Sequence, residues 1–493
     1  MEKTAGDVMV RDYLQWASIS IKEIIENDFR LEASVYNITA RLAKKKISDC
    51  RYEKLFLKDV SNKIYYGGRA KRCYVKLTHK KAIGFLGSSE MLELNPKPTN
   101  FLSSERMKID DFKVEKNTIL ISRSGTIGNL TFVNETLSKF LVSEHAIRIV
   151  AKEYPGYLYA YLKSETGQQL IQSLIYGSVV SQIEPEHLEK IIIPNPPNEI
   201  KQEINNKILQ SFELRDQTNE LINNAEKMLL DELQLPSTEE LENIAYQNEY
   251  NNLFKGMSDV PKYKNVGLKF SSVPIKEIRG RLDSSFHIAT INQLLSMLKQ
   301  NALLTTLSDK NICKEIILPG RFKRYYVEKD YGTVFLGGKQ IYELDPANKK
   351  YLSVSKHSGR ITKELFLKEN MIVITCSGTI GKVNIVPKHW KNWAMSQHVL
   401  RVVPTGNHIA GYIYIWLNTE YGKELITRHT YGSVVDEIDN RHLSQVEIPI
   451  LHDTEKQNGI NDLVLKANKI RTQAFEKEQQ GIKLMNDLVI NAE

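Results

Sequence analysis

Gly68-Arg69-Ala70-Lys71-Arg72-Cys73-Tyr74-Val75 returns 252 positions later as Gly320-Arg321-Phe322-Lys323-Arg324-Tyr325-Tyr326-Val327, with six of the eight residues unchanged. Ser124-Gly125-Thr126-Ile127-Gly128 returns intact at 377–381, and Tyr176-Gly177-Ser178-Val179-Val180 at 431–435. Weaker echoes keep the same order. They are Arg30-Leu31-Glu32-Ala33-Ser34 against Arg281-Leu282-Asp283-Ser284-Ser285, Phe85-Leu86-Gly87 against Phe335-Leu336-Gly337, and the His187-Leu188 to Ile193-Pro194 segment against His442-Leu443 to Ile448-Pro449. The offset drifts only between 250 and 255. A period this long belongs to whole domains, not to solenoid repeats. The chain carries one fold twice, which suits an elongated partner read twice.

Each half reads as a mixed α/β body followed by a helix. Residues 118–122 and 146–150 are short apolar β-type runs, with counterparts at 371–375 and 399–403. Helical stretches at 156–174 and 411–427 follow. Each body closes on a β-like segment ending in proline, Ile191-Ile192-Ile193-Pro194 and Val446-Glu447-Ile448-Pro449. From 198 to about 233 there is then no Gly or Pro, and Ile204, Ile208, Phe212, Ile222, Ala225 and Leu229 fall on one helical stripe. Residues 455–489 repeat it with Ile460, Val464, Ala467, Ala474, Met485 and Leu488, interrupted by Gly481. A helix of this length spans roughly 50 Å, too long to bury its stripe within one lobe. The pattern predicts that the two helices pack together as an antiparallel pair. Pro236 ends the first helix, and a polar Asn-, Glu- and Tyr-rich connector leads to Ile275-Lys276-Glu277-Ile278, the mirror of Ile21-Lys22-Glu23-Ile24. The expected division is 1–197, first body; 198–235, first helix; 236–270, connector; 271–453, second body; 454–493, second helix.

Composition narrows the classes. A chain of 493 residues, 41% hydrophobic and 26% charged, matches soluble globular protein and can bury a core in each half. No apolar run reaches the roughly 20 residues of a membrane helix, and the N-terminal stretch lacks an apolar signal core. Cys50, Cys73, Cys313 and Cys376 are scattered without metal-type spacing, so free thiols in a reducing cytoplasm and no metal site are expected. The net charge of +8 is moderate, but cations recur inside both copies of one motif, which points to a polyanion such as nucleic acid.

The motifs divide by what they can carry. Arg69, Lys71 and Arg72 with Tyr74, and Arg321, Lys323 and Arg324 with Tyr326, join three cations to an aromatic. Guanidinium groups fork onto phosphate or guanine edges, and tyrosine can bond phosphate or stack. Ser124 and Thr126, like Ser377 and Thr379, lie in a glycine turn after a strand, where backbone N–H groups can approach phosphate. The residue before the turn differs, Arg123 in one copy and Cys376 in the other, as two readers of different sequence would. The turn is no nucleotide-binding loop, since no Gly-x-x-x-x-Gly-Lys or Gly-x-Gly-x-x-Gly is present. Tyr-Gly-Ser-Val-Val reads as a domain-closing turn. Ser143-Glu144-His145 and Ser396-Gln397-His398 read as carrying a structural histidine, because the acid is not repeated. Asn195-Pro196-Pro197-Asn198 resembles the Asn-Pro-Pro-Tyr signature of amino-methyltransferases but lacks its aromatic, its cofactor loop and a second copy. It reads as a strand end before a helix.

Taken together, the ordered duplication over nearly the whole chain resembles the specificity subunit of restriction–modification systems. The features that carry it are two α/β bodies each ending in Ile-Pro, long helices carrying Lys201-Gln202 and Lys456-Gln457, the Ser-Gly-Thr-Ile-Gly loop and the Tyr-Gly-Ser-Val-Val turn. The Arg-Leu-Glu-Ala-Ser opening is similar to specificity subunits serving a fused restriction–methylation polypeptide (type IIB), and three-gene type I systems remain equally open. The resemblance implies two duplicated target-recognition domains separated by a pair of long antiparallel helices, a coiled-coil spacer. Each domain would read one half of a split duplex DNA site. The helices, through positions such as Ile204, Ile208, Phe212, Ile460, Val464 and Ala467, would dock adenine methyltransferase or fused restriction–methylation subunits. Those partners would use S-adenosylmethionine and, if nucleases, Mg2+; this chain would hold no cofactor or metal and catalyse nothing. Lys201 and Lys456 stand where the family carries an acidic residue, a departure within the helices. Competing readings are a stand-alone DNA methyltransferase or nuclease, which would bind S-adenosylmethionine or a divalent metal, and a coiled-coil protein scaffold without a nucleic-acid role.

Overall fold

The computed structural model describes residues 18–26, 29–31, 33–176, 181–275, 278, 281–346, 349–432 and 435–492. The chain forms two units by contact: 1–219 with 343–347 and 473–493, and 220–342 with 348–472.

Unit 1 is built on two four-stranded sheets and a two-stranded one. The first sheet runs Ser61–Tyr66, Ala146–Ala151, Ile119–Ser122, Leu130–Phe132, antiparallel throughout. Alternation along its strands serves two cores at once. Ile119, Ile121, Ile147 and Ile149 face the helices Pro155–Lys163 and Glu165–Ser173, while Leu120 and Ala146 face a second core with Leu86 and Val142. The other sheet orders Tyr74–Val75, Asn100–Ser103, Ala82–Leu86 and Leu141–Val142, with the last pairing parallel. Glu53–Phe56 pairs with Ile192–Asn195, the Ile-Pro segment. Asn195, of the Asn-Pro-Pro-Asn stretch, accepts from Lys201 and donates to Glu53, fastening the strand end to the start of the long helix.

Unit 2 repeats this. Its sheets order Cys313–Ile317, Val399–Pro404, Ile372–Thr375, Val383–Ile385 and Tyr326–Val327, Lys350–Ser353, Gly332–Leu336, Ala394–Met395, with Ala302–Thr306 against Glu447–Leu451.

The helical stretch expected at 156–174 is two helices, and so is its counterpart, Asn407–Asn418 and Glu420–Thr427. Ser164 Oγ accepts from Gly167 N at 3.1 Å, and Thr419 Oγ1 from Gly422 N at 3.0 Å, so each break caps the helix that follows. A Cβ on either glycine would stand within 2.2 Å of a carbonyl oxygen, Tyr161 or Trp416.

The long helices are Asn198–Glu232 and Thr454–Met485. Within unit 1, Ser211 Oγ donates to Ala474 O at 2.7 Å while Ile208 meets Gly481, so rising numbers on one helix meet falling numbers on the other. The expected antiparallel pairing is present. Gly481 is what lets Ile208 approach, since a Cβ there would lie 2.8 Å from Ile208 Cδ1. Within unit 2, Lys456 Nζ reaches Glu232 Oε1 at 2.7 Å, and Ile222, Ala225 and Leu229 share a core with Ile460, Val464 and Ala467. Each body is tied to its own long helix by a buried asparagine: Asn205 Oδ1 accepts from Gly156 N at 2.8 Å, and Asn461 Oδ1 from Gly411 N at 2.9 Å. Gln457 Oε1 accepts from Leu451 N at 3.0 Å.

The stretch read as a polar connector holds a helix, Thr238–Leu253. Ser237 and Glu240 form a reciprocal capping box at its start. Its buried face is Leu241, Ala245, Tyr246 and Tyr250, the last three clustered with Tyr263 and Ala289. No described helix is long and apolar enough to cross a membrane.

Candidate nucleic-acid interface

In each unit the repeated motifs are far apart in sequence and meet on one face. In unit 1, Arg69, Lys71 and Tyr74 are exposed, with Tyr74 on the two-residue edge strand. Arg72 points inward. Its Nη2 donates to both carboxylate oxygens of Glu144 at 2.7 Å, Nη1 to Tyr74 Oη at 3.2 Å, and its plane lies over the Phe85 ring. Burial raises the Glu144 pKa, but a backbone hydrogen bond and the Arg72 guanidinium outweigh it and hold the carboxyl below its usual range.

The next residue, His145, brings in the second motif: its Nδ1 lies 2.8 Å from Ser124 Oγ. Gly125 and Gly128 take φ of 74° and 83°, which glycine adopts without strain and which turns Thr126 out to solvent. Ser124 pairs with Gln182, and Gln182 with Tyr176, so the loop and the ends of the Tyr-Gly-Ser-Val-Val turn join. Gly177, Ser178, Val179 and Val180, with Ser433 and Val434, lie outside the described residues, as does Glu32. Arg123 is buried, ion-paired with Glu184 and set over the Tyr66 ring at 4.2 Å. It braces the loop from inside and presents almost no accessible surface.

Unit 2 places Arg321, Lys323 and Tyr326 at the surface, Arg324 against Gln397 Oε1 at 2.8 Å, and Thr379 exposed beside half-buried Ser377. Ser377 and Tyr431 both pair with Glu437. Cys376, the counterpart of Arg123, is buried, which pushes its thiol up to about 12 and leaves it unreactive.

The segment linking the motifs is held by fully buried arginines. Arg148 donates to Val142 O at 2.8 Å and Ala146 O at 3.2 Å. Arg401 donates to Ser396 O at 3.1 Å and to the carbonyls of Met395 and Val399. Sequence reasoning noted Glu144 and Gln397 only as unlike neighbours of a recurring histidine, gave them no part in the site, and did not single out the two arginines. The available signal was their place beside recurring histidines and in matching strands.

The helix positions read as partner-binding are placed differently from what that role needs. Ile204, Ile208 and Phe212 lie in the core of unit 1, and Ile460, Val464 and Ala467 in that of unit 2, each 3% exposed or less. The outward faces carry polar residues, among them Glu203, Asn206, Gln210 and Glu213. No cluster of His, Cys, Asp or Glu suited to a metal occurs among the described residues.

A family model, the type I restriction modification DNA specificity domain, matches twice, at residues 51–227 and 322–480. The chain belongs to this family. It is accordingly a DNA-recognition subunit and not a catalytic one, and each matched stretch begins inside one of the duplicated bodies and ends within the long helix that follows it. Among solved structures, the chain is similar to the S subunit of a type I restriction–modification system from M. genitalium, at 13% identity and TM-score 0.33, over 90% of this chain and 96% of that one. It is also similar to the HsdS subunit of Thermoanaerobacter tengcongensis, at 14% identity and TM-score 0.27, over 90% and 97%. No curated protein matches.

Proposed function

We propose that this specificity subunit recognises a bipartite duplex DNA site, one half-site per unit, and directs adenine methyltransferase or endonuclease subunits to it. The observation that carries the reading is the duplicated surface: in each unit an exposed cation–aromatic box stands beside an exposed glycine turn. Arg69, Lys71, Tyr74 and Thr126, with Arg321, Lys323, Tyr326 and Thr379, are the side chains offered to the duplex. Ser124 and Ser377 lie behind them. Two heads on one chain bind as a bivalent reader, each raising the local concentration of the other. The exposed polar faces of the long helices supply the docking surface for the partner subunits, which bring S-adenosylmethionine and any Mg2+ chemistry. This chain needs neither.

Mapping methyladenine genome-wide with and without this gene tests the reading. Loss of one split motif is expected, and it yields both half-sites and the spacer together. An unchanged methylome, with no methyltransferase co-purifying, would reject it. Inserting a few residues in the long helices should alter the preferred spacer and leave both half-sites as they were.

A further inference from the structure

In each box an arginine lies over a phenylalanine ring, and the side chain that accepts from it is a carboxylate in one unit and an amide in the other. Arg72 lies over the Phe85 ring at 4.9 Å from its centroid and donates to Glu144; Arg324 lies over Phe335 at 5.4 Å and donates to Gln397. Ser143 and His145 flank the glutamate, and Ser396 and His398 flank the glutamine. Glutamate and glutamine have the same shape, so the cradle keeps its geometry and changes its charge. Arg72 is neutralised by a carboxylate that is only 10% exposed. Arg324 has no carboxylate partner among the described residues and keeps its full charge.

The reverse exchange occurs one segment away. Gln182 of unit 1 stands where unit 2 has Glu437, each paired with the serine of the glycine turn. Glu437 Oε1 faces Arg321 Nη2 at 3.6 Å, but Arg321 is 84% exposed, so water screens that pair and leaves the cation nearly free. The asymmetry that counts is therefore the one at 144 and 397. Both residues are held in place, because Arg148 and Arg401 pin the backbone carbonyls on either side of them.

We propose that the Glu144/Gln397 exchange is a specificity-determining difference between the two heads. Glu144 withdraws Arg72 from the duplex, leaving Arg69 and Lys71 as the cations unit 1 offers. Gln397 orients Arg324 without neutralising it, so that in unit 2 this guanidinium donates to the DNA, at a guanine edge or a phosphate. The inference rests on the DNA-specificity reading.

The test uses the full chain, selection from a random-sequence duplex library, and a salt titration on the selected duplex. Glu144→Gln adds a cation, so the slope of log affinity against log salt steepens by about one. The bases selected should change in one half-site only. Gln397→Glu should make the slope shallower by about one and weaken the other half-site. Arg324→Ala separates the two modes. Loss of preference at one position by about tenfold or more assigns a guanine edge, and uniform weakening across sequences assigns a phosphate. Arg72→Ala should move the selected sequence little. Wild-type sequence preferences and slopes in both isosteric variants would overturn the proposal. If the wild-type chain selects no sequence at all, the DNA-specificity reading fails first, and this inference fails with it.

Discussion

Units 1 and 2 keep the same sheets, helix breaks and anchors, yet they treat buried charge differently. In unit 1, Tyr159 Oη donates to Glu478 Oε1 at 2.6 Å, and Arg215 pairs with the other oxygen of that carboxylate, which is 1% exposed. In unit 2 the corresponding Tyr414 and Arg471 meet each other at 3.4 Å, and Arg471 donates to the amide oxygen of Asn384 at 2.9 Å, with no carboxylate partner among the described residues. The same contrast separates Arg72–Glu144 from Arg324–Gln397 and Arg123–Glu184 from Cys376. What the two units share is of another kind. Asn205 and Asn461, Ser164 and Thr419, Arg148 and Arg401, and Tyr157 and Tyr412 all bond to backbone atoms. A backbone N–H or C=O cannot be replaced by substitution, so its partner is fixed once the fold is. A side-chain partner can change with its mate, and here such pairs have diverged.

The largest expected effect breaks the buried ion pair. Glu478→Ala strands Arg215 and removes the acceptor of Tyr159, and should cost about 3–5 kcal/mol in denaturant unfolding. Arg471→Met, which breaks no ion pair, should cost about 1–2 kcal/mol. Replacing both partners, Arg215→Met with Glu478→Leu, should recover most of the first loss, since paired charges lose much of their attraction to desolvation. Equal costs for Glu478→Ala and Arg471→Met would mean the two slots are energetically alike.

Acid should separate the units next. His429 of unit 2 is buried, and burial, then the charges of Arg428, Arg281 and His442, lower its pKa to about 3. Unit 1 has Leu174 at the corresponding position. The unfolded chain takes up a proton at this histidine below about pH 6.5, whereas the folded chain does not until about pH 3. Stability is thus lost as pH falls through that window, at up to about 1.4 kcal/mol per pH unit. Hydrogen exchange followed from pH 7 to pH 4.5 should show unit 2 loosening first, and His429→Leu should flatten the difference. Ser237→Ala, which removes the cap of a helix that has no counterpart among the described residues of unit 1, should follow at about 1 kcal/mol with exchange altered locally at Thr238–Leu253.

Much of the frame was legible because it is written in periodicity. The strand runs around Ile119 and Ile372 are short and apolar on both faces, and the long helices carry an apolar stripe that polar residues such as Thr218, Asn219 and Glu478 interrupt. Three things were hidden for physical reasons. The helix at Thr238–Leu253 buries one leucine, with alanine and two tyrosines where a stripe of leucine and isoleucine would announce it. The breaks at Ser164 and Thr419 are single capping residues within otherwise continuous helical pattern. The partners of the box arginines lie 72 and 73 residues away, at Glu144 and Gln397, on a turn between edge and centre strands. Only folding brings them together, so the box read as three equivalent cations. Periodicity read the stripe residues Ile204 to Ala467 as buried between the two helices, and only the resemblance assigned them to partners; the structure buries them in the cores.

The smallest effect belongs to the exposed arginine of the second box, set against the sequestered arginine of the first. Arg72 is 27% exposed and holds a carboxylate that is 10% exposed, so Arg72→Ala leaves the desolvated Glu144 without its guanidinium partner and with its backbone hydrogen bond alone to offset burial. A loss of about 1–2 kcal/mol is expected. Arg321 is 84% exposed, 3.6 Å from Glu437, and both groups recover water when the pair opens. Arg321→Ala should change stability by less than about 0.5 kcal/mol. Thermal melts of the two variants therefore weigh two different arginines of the repeated box, the half-buried one of unit 1 and the exposed one of unit 2, in their different settings. If Arg321→Ala cost as much as Arg72→Ala, the exposed pair would be doing structural work, and the contrast between a sequestered and an available arginine would lose its energetic basis.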